Sequence, residues 1–339
     1  MDLTETLFTD NYSPYIKIFE EDKYSVYKYS IYKYPESYLE LFLDELFYNK
    51  SIPVNDDYTF KMSIDEYILD KNGNETDVDF EYLRQAQISV YWVSNWYDYL
   101  MDNVKDVMIT FKSHLIYLTE EDISNLFNYK ANNIIPVNIV NKLSNIILEL
   151  GGSSFIRTDA YSPKDLLYNH TVSSLKVNNA IDALQLVIKS PRCCTKLFDI
   201  NNKIMSEYLV LRQYIDFDTN YEFRCFIYGW KLRAVSQAGF EYNSELYDKK
   251  KIIYDLVLKF WDKFSRICPF SECTMDIVYN EKWIENTLGN SGIMIIEFNS
   301  FGPHMNACSG LYNWVRDYYI LTQSEKPHIV LAEKPLNMI

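Results

Sequence analysis

Apolar and polar positions alternate along some stretches of the chain and recur at helical spacing along others. Tyr24 to Tyr34 alternates aromatic with polar side chains and predicts a strand, which Pro35 ends. Ser37 with Glu40 has the spacing of a capping box, and Leu39, Phe42, Leu43, Leu46 and Phe47 follow at helical intervals. A strand around Phe60 to Ile64 precedes the polar turn Asn72-Gly73-Asn74. Residues 1–88 thus read as a small α+β extension with no visible chemistry.

Ile88 to Trp96 is apolar and aromatic, Val107 to Leu118 reads as a strand, and Thr119 with Asp122 marks a helix start. After Pro136, a helix carries Val137, Val140, Leu143, Ile147 and Leu150 on one face. Gly151-Gly152 stops it, because glycine takes the left-handed conformation cheaply. A short strand, Ser154 to Thr158, leads into a polar loop, and Asn178 to Lys189 is helical. Strands follow at Glu207 to Tyr214, Tyr221 to Tyr228 and Trp230 to Gln237, with Gly229 turning the last pair. A long helix is expected from Ser244 to Arg266, then strands at Glu272 to Tyr279 and Gly292 to Asn299. A helix from Asn306 to Tyr319 follows the break at Phe301-Gly302-Pro303. The fold class is α+β.

Composition removes several functions. Thirty-three basic against 47 acidic residues leave a net charge of −14, and the only dense basic run is Lys249-Lys250-Lys251. A nucleic-acid binder needs a basic footprint, so nucleic acid and anionic membrane are both disfavoured, and an acidic surface suits a basic protein partner or simply keeps the chain soluble. The six cysteines form no CxxC pair and the four histidines are scattered, which argues against structural zinc. The acidic start Met1-Asp2-Leu3-Thr4-Glu5 does not read as a signal peptide, and no apolar run reaches the ~20 residues of a membrane span. A cytoplasmic protein with reduced cysteines is expected.

The most informative segment is Ile293-Met294-Ile295-Ile296-Glu297-Phe298-Asn299. So apolar a strand is buried on both faces. Strict alternation puts Glu297 and Asn299 on the face of Ile293 and Ile295. A carboxylate there is costly unless paired or metal-bound. Asp276 repeats the pattern within Thr274-Met275-Asp276-Ile277-Val278. If the two strands pair, Asp276, Glu297 and Asn299 present hard oxygen ligands suited to Mg²⁺, which takes one or two carboxylates plus phosphate oxygens and water. The alternative is that each carboxylate pairs with an arginine or caps a loop.

Two further constellations stand beside this one. Glu222 and Arg224 share a face of their strand; the acid could hold a ribose hydroxyl pair and the arginine a phosphate, or the two could form cross-strand salt bridges. Arg157, at the end of a strand, opens the polar stretch Thr158 to Asp165 with Ser162 and Lys164, able to clamp phosphates or to be an ordinary surface loop. Neither a GxxxxGK[ST] nor a GxGxxG loop occurs.

In order and spacing these pieces resemble the cell-division-cycle-123 family, a divergent branch of the ATP-grasp fold. Leu150-Gly151-Gly152-Ser153 leading into Phe155 to Asp165 is similar to that family's Gly-Gly-Ser and its following loop. Leu209-Val210-Leu211-Arg212-Gln213-Tyr214 resembles its Leu-Val-Leu-Arg-Lys-Trp hinge. Glu222-Phe223-Arg224-Cys225-Phe226, Val235-Ser236-Gln237, Asp276-Ile277 and Glu297-Phe298-Asn299-Ser300-Phe301-Gly302 resemble its later motifs. Upstream, Trp96-Tyr97 and Ile109 to Ser113 resemble its start. The resemblance spans about residues 90 to 320. It implies a two-lobed ATP-grasp-like domain over residues 89–325, with the 1–88 extension before it and a C-terminal tail over 326–339.

The resemblance also implies site roles. Arg212, Gln213 and Tyr214 would meet an adenine, Glu222 a ribose, and Arg224 the phosphates. Arg157, Ser162 and Lys164 would cover those phosphates, and Asp276, Glu297 and Asn299 would hold Mg²⁺ beside the ATP. Four positions depart from the family pattern: Arg157 replaces a lysine, Ala160 or Tyr161 a tryptophan, Ala238 an arginine and Glu297 an aspartate. Members of the family are assembly chaperones for translation initiation factor 2, joining its gamma and alpha subunits with ATP bound, so a protein client, the gamma subunit, is expected. The enzyme alternative is an ATP-grasp ligase that activates a carboxylate as an acylphosphate for an amine. A third is a binding module that has lost the nucleotide.

Overall fold

The computed structural model describes residues 88–198, 206–302 and 308–334, with the backbone of 68–69 and 75–76. The chain divides into two compact units, Met1–Leu83 and Arg84–Ile339. In the first, β1 (Ile68–Leu69) pairs antiparallel with β2 (Glu75–Thr76). The turn expected at Asn72-Gly73-Asn74 lies outside the described residues. The strands expected at 24–34 and 60–64, and the helix after Ser37, lie outside the described residues.

The second unit is α+β and contains two antiparallel-rich sheets. In the first sheet the strand order is β3 (Ser113–Tyr117), β6 (Tyr208–Gln213), β4 (Ser154–Thr158), β5 (Lys176–Val177). One face carries Ile116, Ile156, Leu209 and Leu211 into an apolar core. Helices α2 (Glu120–Asn132), α3 (Val137–Glu149), α5 (Ala180–Lys189) and α6 (Pro191–Phe198) close that core with Leu126, Leu143, Ile147, Leu184, Val187 and Leu197. The expected capping box is present at α2. Thr119 accepts from the Asp122 amide while the Asp122 carboxylate accepts from the Thr119 amide, satisfying two otherwise orphaned donors.

The second sheet has the order β10 (Ile293–Asn299), β9 (Cys273–Tyr279), β7 (Glu222–Tyr228), β8 (Lys231–Gln237), β11 (His328–Val330). Gly229 (φ +59°) and Trp230 (φ +60°) are both left-handed, the backbone of a two-residue type I′ hairpin between β7 and β8. Helix α8 (Lys250–Phe264) buries Ile253, Val257, Phe260 and Phe264 and lies against β10. Trp96 of α1 (Val93–Asn103), Phe264 and Phe270 gather around Phe298 of β10, with ring centroids 5.1, 6.2 and 5.1 Å away. β11 lies within the segment read as a tail and pairs parallel with β8.

Four expectations need correction. The helix expected from Asn306 to Tyr319 is absent over 308–317, where the chain turns, and α9 spans Tyr318–Gln323. The Asn313 side chain accepts from the amides of Val315 and Arg316, and Asp317 accepts from the Asn313 amide; these local bonds compete with a helix. The long helix after Asn243 is two, α7 (Ser244–Asp248) and α8, meeting at Lys249. The strand expected from Val107 is shortened to β3, with Met108 and Thr110 making only isolated parallel bridges to Thr287 and Ile295. Finally, β10 carries a bulge. Ile295 faces Ile277 and Glu297 faces Asp276, so Ile296 is the extra residue. The bulge reverses the phase of the strand, and Glu297 and Asn299 lie on the face opposite Ile293 and Ile295. No helix among the described residues is long and apolar enough to cross a membrane.

Candidate functional site

Three neighbouring strands set the site. Register places Arg224 of β7 opposite Asp276 of β9, and Asp276 opposite Glu297 of β10, a row of three charged residues on one face of the sheet. Glu222 lies two residues from Arg224 on that face and Asn299 two residues from Glu297. The first sheet contributes Arg157 from β4, whose side chain faces away from Ile156 and the helical core.

The charges meet in pairs. Arg224 grips Asp276 bidentately, Nε to Oδ1 and Nη2 to Oδ2, both at 2.7 Å, and its Nη1 donates to the Cys308 carbonyl at 2.8 Å. Asn299 Nδ2 donates to the same Asp276 Oδ2 at 3.2 Å, which leaves its amide oxygen uncommitted to that bond. Arg157 Nη1 donates to Glu297 Oε2 at 2.6 Å. Its Nε and Nη2 go to the carbonyls of Thr158 and Ala160, so the loop after β4 wraps around the guanidinium. That loop is anchored by Asp159, which is buried and accepts from the amide and hydroxyl of Ser94 at the start of α1.

Further along the loop, Ser162 is buried and Lys164 precedes α4 (Asp165–Tyr168). Burial alone would lower the Lys164 ammonium, but Glu297, Glu222 and Asp276 outweigh it and hold the group above its ordinary range. Glu297 shows the converse. Burial would raise it, yet Arg157, Lys164 and Arg224 bring its carboxyl down to about 2. Glu222 has no arginine of its own: burial raises its carboxyl, Lys164 opposes, and Asp276 and Glu297 add to the rise. At Arg224 burial is outweighed by Asp276, and the guanidinium binds its proton more tightly than usual.

The structure thus brings together Arg157, Lys164, Glu222, Arg224, Asp276, Glu297 and Asn299. Arg212 lies beside this group but turns its guanidinium to other acceptors. Its guanidinium is buried against the back of the β10 bulge, donating to the Ile296 carbonyl, to Thr110 Oγ1 at 2.8 Å and to Ser113 Oγ at 3.2 Å, with the Phe111 ring 5.1 Å away. Burial and the nearby Arg157 charge push it down to about 9. Arg212 and Arg157 are two ties between the sheets, and they end on adjacent residues of β10. Gln213 pairs with Ser154, and its backbone N–H donates to the Lys112 carbonyl. The Tyr214 ring lies 5.2 Å from the Lys176 ammonium.

Sequence reasoning did not find the apolar cluster beside the charged row. Val278 stands opposite Glu222 and Met294, and with Phe111 it forms a buried group against which Met108, Ile215, Phe217, Trp283 and Ile296 pack. The alternation of Gln213, Ile215 and Phe217 beyond β6 was the signal available for two of these. Asp159 and Ser94 were also missed; their bond joins positions 65 residues apart.

Among the described residues no group of three or more His, Cys, Asp or Glu side chains is disposed to hold a metal ion. The donor set of Asp276, Glu297 and Asn299 is two carboxylates and an amide oxygen. It is chemically suited to a hard cation that brings phosphate oxygens with it, and not to a metal caged by protein alone.

A family model described as D123 matches residues 93–330. The putative CDC123-like protein L884 of Acanthamoeba polyphaga mimivirus is 59% identical over 327 residues, covering 96% of this chain and 99% of the relative. A translation initiation factor eIF2 assembly protein of Dictyostelium discoideum is 33% identical over 201 residues, 53% of this chain and 49% of the relative, so the match spans about half of that protein. The solved structure of Cdc123 from Schizosaccharomyces pombe superposes with a TM-score of 0.59 at 22% identity, covering 74% of this chain and 98% of that one. That likeness shows the fold.

Proposed function

The chain belongs to the cell-division-cycle-123 family, D123, and from that premise we propose that it is an ATP- and Mg²⁺-binding assembly chaperone of translation initiation factor 2, acting in the cytoplasm on the gamma subunit. The client is supported by the Dictyostelium relative, named an eIF2 assembly protein. The nucleotide is supported by one observation: three cations and three carboxylates from both sheets converge beside an apolar cluster.

Each group has a role in this reading. The Gln213 to Phe217 segment and the cluster around Phe111 and Met294 accept a flat apolar base. Glu222, raised in pKa and lacking an arginine, accepts a ribose hydroxyl. Lys164, Arg157 and Arg224 hold phosphate oxygens, the two arginines with planar forks. Asp276, Glu297 and Asn299 hold the metal, which supplies charge neutralisation for the phosphates. Arg212 serves as a strut that fixes the bulge and thereby the direction of Glu297. Bound nucleotide would close the two sheets on each other and set the surface offered to the client.

Calorimetry tests the reading, with ATP titrated in the presence and absence of Mg²⁺ into the wild-type chain and Asp276→Ala. Metal-dependent binding that is lost in the variant is the expected result. Absence of binding by the wild type would remove every ATP-based function. Pulldown of the factor's gamma subunit tests the client, and ADP release that requires a particular acid and amine would favour a ligase.

A further inference from the structure

The two arginine–carboxylate pairs are not held alike. Arg157 is fixed by its own loop, with two of its three bonds going to the Thr158 and Ala160 carbonyls, and its side chain is 6% exposed. Arg224 spends two of its three bonds on Asp276, with both side chains 15% exposed. Both Asp276 oxygens are therefore taken by one guanidinium, and Oδ2 also receives Asn299. Against the effect of burial, Asp276 makes Arg224 bind its proton more tightly than usual, so this occupancy is not relieved by loss of the guanidinium's proton. It ends only when the guanidinium moves to another acceptor.

The charges of the site explain what would move it. Glu222, Asp276 and Glu297 are matched by Arg157, Lys164 and Arg224. A divalent cation entering alone would leave this half-buried cluster with two surplus positive charges, next to a guanidinium already seated on its ligand. A polyphosphate entering with the cation offsets that surplus and gives Arg224 bidentate oxygens in place of those of Asp276.

We propose that Arg224 is an exchangeable counter-cation for Asp276: it keeps the carboxylate closed to divalent metal in the empty chain and transfers to phosphate when nucleotide arrives. The inference rests on the nucleotide reading above and adds a thermodynamic consequence. Metal and nucleotide binding are positively coupled through one side chain. By linkage the factor by which nucleotide tightens metal equals the factor by which metal tightens nucleotide, roughly 5- to 150-fold for couplings of ordinary size.

The test titrates Mn²⁺, followed by its electron paramagnetic resonance signal, into the full chain alone and with saturating ADP. Wild type, Arg224→Met and Arg224→Lys are compared after circular dichroism confirms folding. The expected wild-type result is weak Mn²⁺ binding that ADP tightens at least about fivefold. Arg224→Met is expected to bind Mn²⁺ alone more tightly than wild type by a similar factor and to lose the coupling. Arg224→Lys, with a point charge in place of the fork, falls between the two and serves where the methionine variant does not fold. Equal Mn²⁺ affinity in wild type and either folded variant, or a wild-type affinity that ADP leaves unchanged although ADP binds, overturns the counter-cation. If ADP does not bind wild type at all, the nucleotide reading fails; the comparison of Mn²⁺ affinities without nucleotide still decides whether Arg224 guards Asp276.

Discussion

The two faces of the five-stranded sheet are built on opposite principles. Beneath α8 and α1, Phe223, Cys225, Met275, Ile277, Ile295 and Phe298 are buried and apolar, and their contribution comes from area removed from water. On the other face, Glu222, Arg224, Asp276, Glu297 and Asn299 stand where alternation would admit more isoleucine. That face is held by charge-assisted bonds, each of which has to offset the cost of desolvating ions. One face stabilises the sheet and the other uses that stability to keep charged groups at fixed separations.

The largest expected effect belongs to the apolar face. Phe223→Ala removes a fully buried ring and should cost about 3–5 kcal/mol, read as a shift in the urea midpoint with an unchanged slope. Arg224 and Asp276 should still meet in a folded variant, so nucleotide affinity measured under folding conditions should change little. A variant that stays folded but loses nucleotide would show that the two faces are less separable than the geometry implies.

Removing a charge comes next. Arg157→Met leaves the half-buried Glu297 without its hydrogen-bonded partner and should cost about 3 kcal/mol, at the low end for a broken buried pair because Glu297 keeps some exposure. The double variant Arg157→Met/Glu297→Met should recover most of that loss, since an ion pair replaced by apolar groups of similar volume is often neutral. Acid sharpens the comparison. The Glu297 carboxyl is held at about 2 against an ordinary 4.5, so its stabilisation is complete above pH 4.5 and disappears as the pH falls towards 2. Wild-type unfolding free energy should decline across that window, and the decline should be shallower in Arg157→Met, where only Lys164 and Arg224 still favour the anion. Equal slopes in the two proteins would mean that Arg157 does not set the Glu297 titration.

The apolar face was legible in the sequence and the charged face only in part. Asp276 and Glu297 announce themselves as carboxylates inside apolar runs, and their adjacency follows once the two strands pair. The phase of β10 could not be read. Ile293 to Ile296 is continuously apolar, so no alternation marks where a residue is extra, and the bulge at Ile296 depends on groups far away in the chain. Its carbonyl is taken by Arg212, 84 residues earlier, and Thr110 donates to the Ile295 carbonyl from 185 residues away. For the same reason Arg212 reads as a ligand-facing residue at a strand end, while its guanidinium serves β10. The helix expected before Tyr319 failed on a local signal that was present: Asn313 and Asp317 four residues apart, both able to capture backbone amides.

The smallest effect has the opposite sign and separates the faces most cleanly. Glu222 is half-buried with its carboxyl raised by desolvation, and although Lys164 opposes this, Asp276 and Glu297 reinforce it. An acid whose pKa is higher in the folded than in the unfolded state destabilises the fold while ionised, and the penalty lifts as falling pH protonates it. Glu222→Gln should therefore stabilise the chain at neutral pH, by about 0.5–1 kcal/mol, the lower part of the range for relief of a destabilised site. The gain should vanish at acid pH, where the wild-type carboxyl is itself neutral. The same variant should bind ATP more weakly, because a neutral amide is a poorer acceptor for a ribose hydroxyl than a carboxylate. Stability rising while affinity falls would mark Glu222 as a residue kept for ligand at the expense of the fold. A loss of stability at neutral pH would mean that Lys164 and Glu222 form a net favourable pair and that the three carboxylates are balanced even before ligand arrives.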